Sequence, residues 1–136
     1  MVWAGNDRVG ETLSFEEYMS HGHVAVRFGD ERSITFEDWF LPRYGQQRRI
    51  EASVDNFSTL PLLMIGTHRV ATLHCRLARY FARHLPLRVI DAPFAMPALA
   101  EVMAWPRYLD QDPAHLWLRG ALLKSAAGLS DPEVTF

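Results

Sequence analysis

Apolar and polar positions change period repeatedly along this chain, and each change marks an element. Met1-Val2-Trp3 is an apolar start that breaks at the Gly5-Asn6-Asp7 turn. Ser14-Phe15-Glu16-Glu17 has the form of a capping box: the Ser hydroxyl can accept from the third helical N–H while Glu17 reaches back, which predicts a short helix to Ser20. His23-Val24-Ala25-Val26-Arg27-Phe28 reads as a strand ended by Gly29. Thr35-Phe36-Glu37-Asp38 opens a helix with Phe36, Trp39 and Phe40 on one face, closed at Tyr44-Gly45. Arg49 to Val54 alternates as a strand, Ser58 to Ile65 reads as a short apolar helix, and Arg69 to His74 as a further strand. Arg76 to His84 is amphipathic, with Leu77, Tyr80, Phe81 and Leu85 inward and arginines outward. Leu87 to Ile90 is a strand ahead of the breaker run Ala92 to Pro97, and Ala98 to Trp105 a longer one. Asp112-Pro113, an N-cap followed by proline at the first helical position, starts a helix running to about Ala126 with Gly128 as its stop.

Strands separated by helices in this rhythm predict an α/β fold with a mostly parallel sheet and helices on its faces. In such sheets ligands bind beyond the carboxyl ends of the strands. The corresponding turns are Arg27-Phe28-Gly29, Asp55-Asn56-Phe57-Ser58 and His74-Cys75.

Composition narrows the function classes. With 136 residues, 49% apolar and 22% charged, the chain has the make-up of one globular domain. A formal net charge of −2 argues against a nucleic-acid face, which needs concentrated Lys and Arg. Arg clusters at Arg48-Arg49 and again at Arg76, Arg79, Arg83 and Arg88, and the second group recurs at helical spacing and reads as a solvated helix face. Cys75 is the only cysteine, so no internal disulfide forms and a reducing compartment fits. No stretch approaches the roughly 20 apolar residues of a spanning helix, and the start lacks a signal pattern, so a cytoplasmic, non-membrane protein is expected.

The candidate chemistry is sparse. No His or Cys pair among His21, His23, His68, His74, Cys75, His84 and His115 has the four-residue helical spacing of a zinc motif, so no metal is expected. Neither glycine pattern of a nucleotide loop occurs, so no cofactor is expected, and Ser58 lacks the flanking glycines of a nucleophile elbow, which leaves a serine hydrolase unsupported. Cys75 beside His74 is the one arrangement that suggests an enzyme, a small α/β hydrolase with a thiol at a helix N-terminus. Neighbours in a strand-to-helix turn point apart, however, and the aromatic set Phe36, Trp39, Phe40 and Tyr44 reads as core. What remains is a binding module. Asp55, Asn56, Ser58 and Thr59 offer a polar edge beside Phe57, and Thr67-His68 adds donors and acceptors at the next turn. Simple N-capping explains the same residue types at Asp55, Asn56 and Ser58.

The order of these segments resembles the second half of the effector-binding domain of LysR-type transcriptional regulators, over about Val2 to Ala126, and most closely the regulators of nodulation and of aromatic-compound breakdown. The stretches that carry the likeness are Leu13 to Tyr18 leading to Gly22-His23-Val24, Arg48 to Val54 leading to Phe57, Ile65 to Leu73, and Met103 to Pro106 through Asp112 to Arg119. The resemblance implies a three-layer, Rossmann-like lobe of a periplasmic-binding-protein-like (type 2) effector domain. Residues 1–97 would form the second lobe, and residues 98–128 the returning crossover strand and C-terminal helix that belong against the first lobe. DNA would be bound only through an N-terminal domain outside this chain. The resemblance implies transcription regulation through a small effector, aromatic or phenolic, and a homo-oligomer. Ligand-facing positions would be Arg27, Phe28, Gly29, Asp55, Asn56, Phe57, Ser58, Thr67 and His68. Where the family often carries proline after Leu73, this chain has His74.

Overall fold

A computed structural model describes residues 1–29, 42, 47–96 and 102–128. The helix expected from Thr35 to Gly45, with the aromatic face of Phe36, Trp39, Phe40 and Tyr44, lies outside the described residues. Residues 1–97 and 98–136 form two compact units.

The first unit is built on short strands. In it β1 (Val2–Trp3) pairs antiparallel with β4 (Leu87–Arg88), and β2 (Gly22–Val26) pairs parallel with β3 (Arg49–Val54). The expected strand from Arg69 to His74 is reduced to one bridging residue. Val70 pairs antiparallel with Val2 on one side and parallel with His23 on the other. Its N–H donates to Gly22 O and its carbonyl accepts from Val24 N, each at 3.0 Å, while Ala71 and Met1 exchange backbone hydrogen bonds of 2.9 and 3.0 Å. A residue paired on both sides, through its own groups to β2 and through those of Ala71 to Met1, is a central strand in function even at this length. Neighbouring side chains explain why the bridge is no longer: Thr67 Oγ1 donates to Met64 O and accepts from Arg69 N, which holds the approach to Val70 in a turn.

The β2–β3 register slips between His23 and Val24, whose partners are Ile50 and Ala52. Glu51 is the extra residue, a bulge that re-aims its side chain. Its carboxylate lies over Gly22, where a Cβ would meet the carboxylate carbon at 2.1 Å.

Apolar residues on the two sides of these strands form separate clusters. Val2, Val9, Tyr18 and Val70 are buried with Phe15, Phe94 and Met96 against them; Val24, Val26, Leu60, Met64, Ala71 and Leu87 are buried with Trp3, Phe57 and Phe81 against them. The capping box forms as expected at α1 (Phe15–Ser20), with Glu17 N donating to Ser14 Oγ at 3.2 Å and Ser14 N to Glu17 Oε2 at 2.8 Å. The helix expected over Ser58 to Ile65 is instead a single 3-10 turn, Leu60–Leu63. Pro61 lacks an N–H, Asn56 Oδ1 already takes Thr59 N–H at 2.8 Å, and Gly66 turns the chain at φ +74°, so no α-helical run can nucleate in that span.

The next helix, α2 (Cys75–His84), buries Ala78 and half-buries Leu77 and Phe81, as Leu85 beyond it is half-buried too. Tyr80, expected inward, is 56% exposed and lies against Phe81 and His84. At about 100° per residue it stands off the Leu77–Phe81–Leu85 row. Arg88 also departs from a solvated face: its guanidinium donates to the carbonyls of Gly10 (2.6 Å), Asn6 (3.3 Å) and Val9, clamping the loop ahead of α1.

In the second unit, residues 102–105 carry no strand, against expectation, and residues 98–101 lie outside the described residues. Extended backbone needs a hydrogen-bonded neighbour to become a ladder, and none of the described residues supplies one. After a 3-10 turn at Arg107–Leu109, α3 (Pro113–Ala127) starts where predicted, with Asp112 Oδ1 accepting from His115 N at 2.8 Å. Buried Arg119 donates to Leu109 O (3.2 Å) and Asp110 O (2.8 Å) and lies 4.4 Å over the Trp105 ring, locking the turn to the helix. Among the described residues no helix is long and apolar enough to cross a membrane.

His23 is fully buried, edge-on to Tyr18, with Nε2 2.9 Å from Tyr18 O and Nδ1 without a partner among the described residues. Burial, with Arg48 nearby, pulls its pKa from 6.5 down to about 4. The folded value lies below the unfolded one, so the neutral ring's contribution is intact above about pH 6.5 and is lost as pH falls toward about 4. The expected loss is up to about 3 kcal/mol. Urea midpoints measured at pH 7.5 and 4.5 should differ accordingly, and His23→Gln should flatten the difference.

Candidate functional site

Seven of the nine expected ligand-facing residues come together beyond the carboxyl ends of β2 and β3. Arg27 N donates to Val54 O at 2.8 Å, extending the β2–β3 pairing by one step and carrying Phe28 out of the sheet. Phe28 is 49% exposed and meets Phe57 edge-on, with ring centroids 5.8 Å apart. Gly29, at φ +65°, turns the chain immediately after it. Phe57 in turn meets His74, the N-cap residue of α2, at 6.3 Å.

The polar groups beside this aromatic edge are partly used. Asn56 Nδ2 donates to Asp55 Oδ1 at 2.7 Å while its Oδ1 holds Thr59 N–H, so Asn56 closes the turn ahead of the 3-10 helix, whose own N-cap is Thr59. Asp55 and Ser58 are exposed, and the Ser58 hydroxyl has no partner among the described residues. An apolar wall of Phe28, Phe57 and His74 beside an exposed carboxylate and hydroxyl can take the face of a small ring and orient its polar substituents. The sequence places the His74-Cys75 turn at the carboxyl ends of the strands but does not count His74 among the ligand-facing positions. Its contact with Phe57 was not legible there, because the two residues meet across the sheet end.

Thr67 and His68 do not join this edge. They precede Val70, which runs parallel to β2, and so lie at the opposite end of the strands. There an open cleft of about 490 Å³ is lined by Arg8, Ser20, His21, Gly22, Arg49, Glu51, Gly66, Thr67, His68 and Arg69. Glu51 bridges two guanidinium groups, with Arg49 at 3.2 Å and Arg69 at 3.0 Å. His68 Nδ1 lies 3.1 Å from Asn6 Oδ1, which also accepts Arg8 N at 3.0 Å.

The hydrolase arrangement is not assembled. Cys75 is exposed, and the His74 ring is against Phe57, with no hydrogen bond to the thiol. Among the described residues, no three His, Cys, Asp or Glu side chains group to hold a metal ion.

No family model matches the chain. It is 45% identical over 128 residues to Nodulation protein D 2 of Rhizobium tropici, covering 94% of this chain and 41% of that protein. It is 40% identical over 128 residues to Nodulation protein D 1 of Bradyrhizobium diazoefficiens, with the same coverage of both. The chain thus spans 41% of the length of these relatives. Among solved structures, the regulatory domain of MexT, a transcriptional activator in Pseudomonas aeruginosa, matches with TM-score 0.73 and 32% identity over 85% of this chain and 57% of that one. A putative transcriptional regulator from Vibrio parahaemolyticus shares the fold, with TM-score 0.76 and 20% identity over 94% of this chain and 59% of that one. The two solved neighbours are a transcriptional activator and a putative transcriptional regulator, and the hydrolase alternative finds no support among these relatives. With nodulation proteins D as its relatives in sequence and regulatory domains as its neighbours in fold, the chain is similar to the effector-binding domain of LysR-type regulators.

Proposed function

We propose that this chain is the effector-sensing part of a LysR-type transcriptional regulator, and that it binds a small aromatic or phenolic molecule at the carboxyl ends of β2 and β3. The observation that carries the reading is the Phe28–Phe57–His74 edge, with half of Phe28 left to solvent at the place where α/β sheets bind ligands. Arg27, Gly29, Asp55, Asn56 and Ser58 complete this site. Thr67 and His68, expected in the same site, are left out of it. In this reading residues 1–97 are one three-layer, Rossmann-like lobe of a periplasmic-binding-protein-like domain, and residues 98–128 return the chain toward the other lobe. The whole protein acts in the cytoplasm as a homo-oligomer and meets DNA through a domain outside this chain, since the net charge of −2 here argues against an extended nucleic-acid face.

Phe28 tests the site with little risk to the fold, because its ring is half exposed. In calorimetry with a panel of aromatic acids and flavonoid-like compounds, run on the full-length regulator, Phe28→Ala should weaken binding by roughly tenfold, the loss of one aromatic contact with its area. Its thermal stability should stay within about 0.5 kcal/mol of the parent, as for most surface changes. Binding of sugars or amino acids in place of the aromatic panel would sink the reading. Phe57→Ala should likewise cost more in binding than in stability, although Phe57 is also packed against the core.

Oligomer formation rests on α3, where Leu116, Trp117, Leu118, Leu122 and Leu123 are all exposed, Trp117 by 74%. Apolar patches of this kind drive association. Light scattering of this chain across a concentration series should show a dimer or larger species, and Trp117→Glu should return it to monomer. A strictly monomeric parent at high concentration contradicts this part of the proposal.

A further inference from the structure

The cleft at the amino ends of β2 and β3 has a chemistry the aromatic edge lacks. Arg8, Arg49 and Arg69 line it against the Glu51 carboxylate, with Asp7 3.6 Å from the lining His68, so three guanidinium groups still face two carboxylates. They contain no Phe, Tyr or Trp. A volume of about 490 Å³ is in the range of small-ligand sites, roughly 300–1,000 Å³.

The cations are held in place. Arg69 is fixed from two directions, with Nε on Glu51 and a terminal nitrogen 3.4 Å from Leu63 O. Arg49 donates to Ser20 O at 3.3 Å besides its pairing with Glu51. Glu51 itself is presented by the β3 bulge, and it can lie over β2 only because Gly22 has no side chain. Behind the cleft stands Asn6, only 3% exposed, whose Oδ1 fixes both the Arg8 main chain and the His68 ring. The Arg8 guanidinium has no partner among the described residues and remains available to a ligand, whereas the His68 ring commits its Nδ1–H to Asn6 Oδ1.

We infer that this cleft is a second binding site, for a small oxyanion carrying carboxylate or phosphate groups, and separate from the effector site on the opposite edge. Guanidinium groups match either oxyanion by paired N–H donors, and a cleft concentrates the field of several. Arg8 supplies the free donors, Arg49 and Arg69 the fixed field, and Glu51 limits how much negative charge the site accepts.

Calorimetric titration of this chain with inorganic phosphate and, separately, with malonate tests the assignment, with sodium chloride as the control for simple screening. Saturable binding of one or both is expected, and the preferred probe tells a phosphate source from a carboxylate one. Arg8→Gln, which breaks no bond of the fold, should weaken binding by roughly tenfold, the worth of one charge-assisted hydrogen bond. Glu51→Gln should move affinity the other way, because it removes the competing carboxylate. Phe28→Ala should leave the titration unchanged, which separates failure here from failure of the effector reading. The inference is overturned if neither probe saturates, if chloride matches them at equal ionic strength, or if Arg8→Gln binds as the parent does.

Discussion

Everything in the first unit hangs on the backbone of one residue. Val70 is the only link through which the β1–β4 pair and the β2–β3 pair become one sheet among the described residues, and it uses both its N–H and its C=O on the β2 side. Tyr18 supports the same place, because its hydroxyl bonds Thr72 Oγ1 at 2.8 Å and its carbonyl takes the His23 ring. Main-chain groups left unpaired in a buried seam would each cost a lost hydrogen bond, so side chains around Val70 are constrained to keep water out. The two apolar clusters do this from either side.

Where local chemistry decides the outcome, the sequence was enough. The capping box at Ser14–Glu17 and the Asp112-Pro113 start are made by residues three apart, and both formed as read. Misreadings arose where a distant partner decides. The apolar alternation of Arg69 to His74 was seen, yet the length of the strand was set by the Thr67 turn and by what lies beside Val70. Arg88 has the same spacing as the solvated arginines of α2, but β4 delivers it to carbonyls of Asn6, Val9 and Gly10. Nothing in the spacing of arginines distinguishes a guanidinium facing water from one facing main chain.

The candidate site shows the same division. Arg27 to Gly29 and Asp55 to Ser58 follow adjacent parallel strands, so their meeting follows from topology alone. Thr67-His68 looks equivalent in sequence, as a turn next to a strand. The difference is that it precedes its strand, and in a parallel sheet turns before and after strands open on opposite edges. The two edges also differ in character. One is aromatic with an exposed carboxylate at Asp55, the other carries the surplus of guanidinium groups around Glu51. The bulge at Glu51 contributes to that contrast, because it turns an otherwise ordinary strand residue toward Gly22.

The seam at Val70 has a consequence for how the chain reaches its native state. Its flanking hydrogen bond joins Met1 to Ala71 across 70 positions, and the Arg88 clamp on Gly10 spans 78. Contacts so far apart in sequence are rewarded only after a long stretch of chain has been closed, at an entropic cost that rises with loop length. Folding of the first unit should therefore be slow for its size, with the capping box and α2 forming early as fluctuating local structure and the seam closing last. Until it closes, the edges of β1 and β2 that Val70 will occupy are open to strands of other molecules. The residue that unites the sheet is thus also the one whose late arrival leaves the chain most exposed to aggregation.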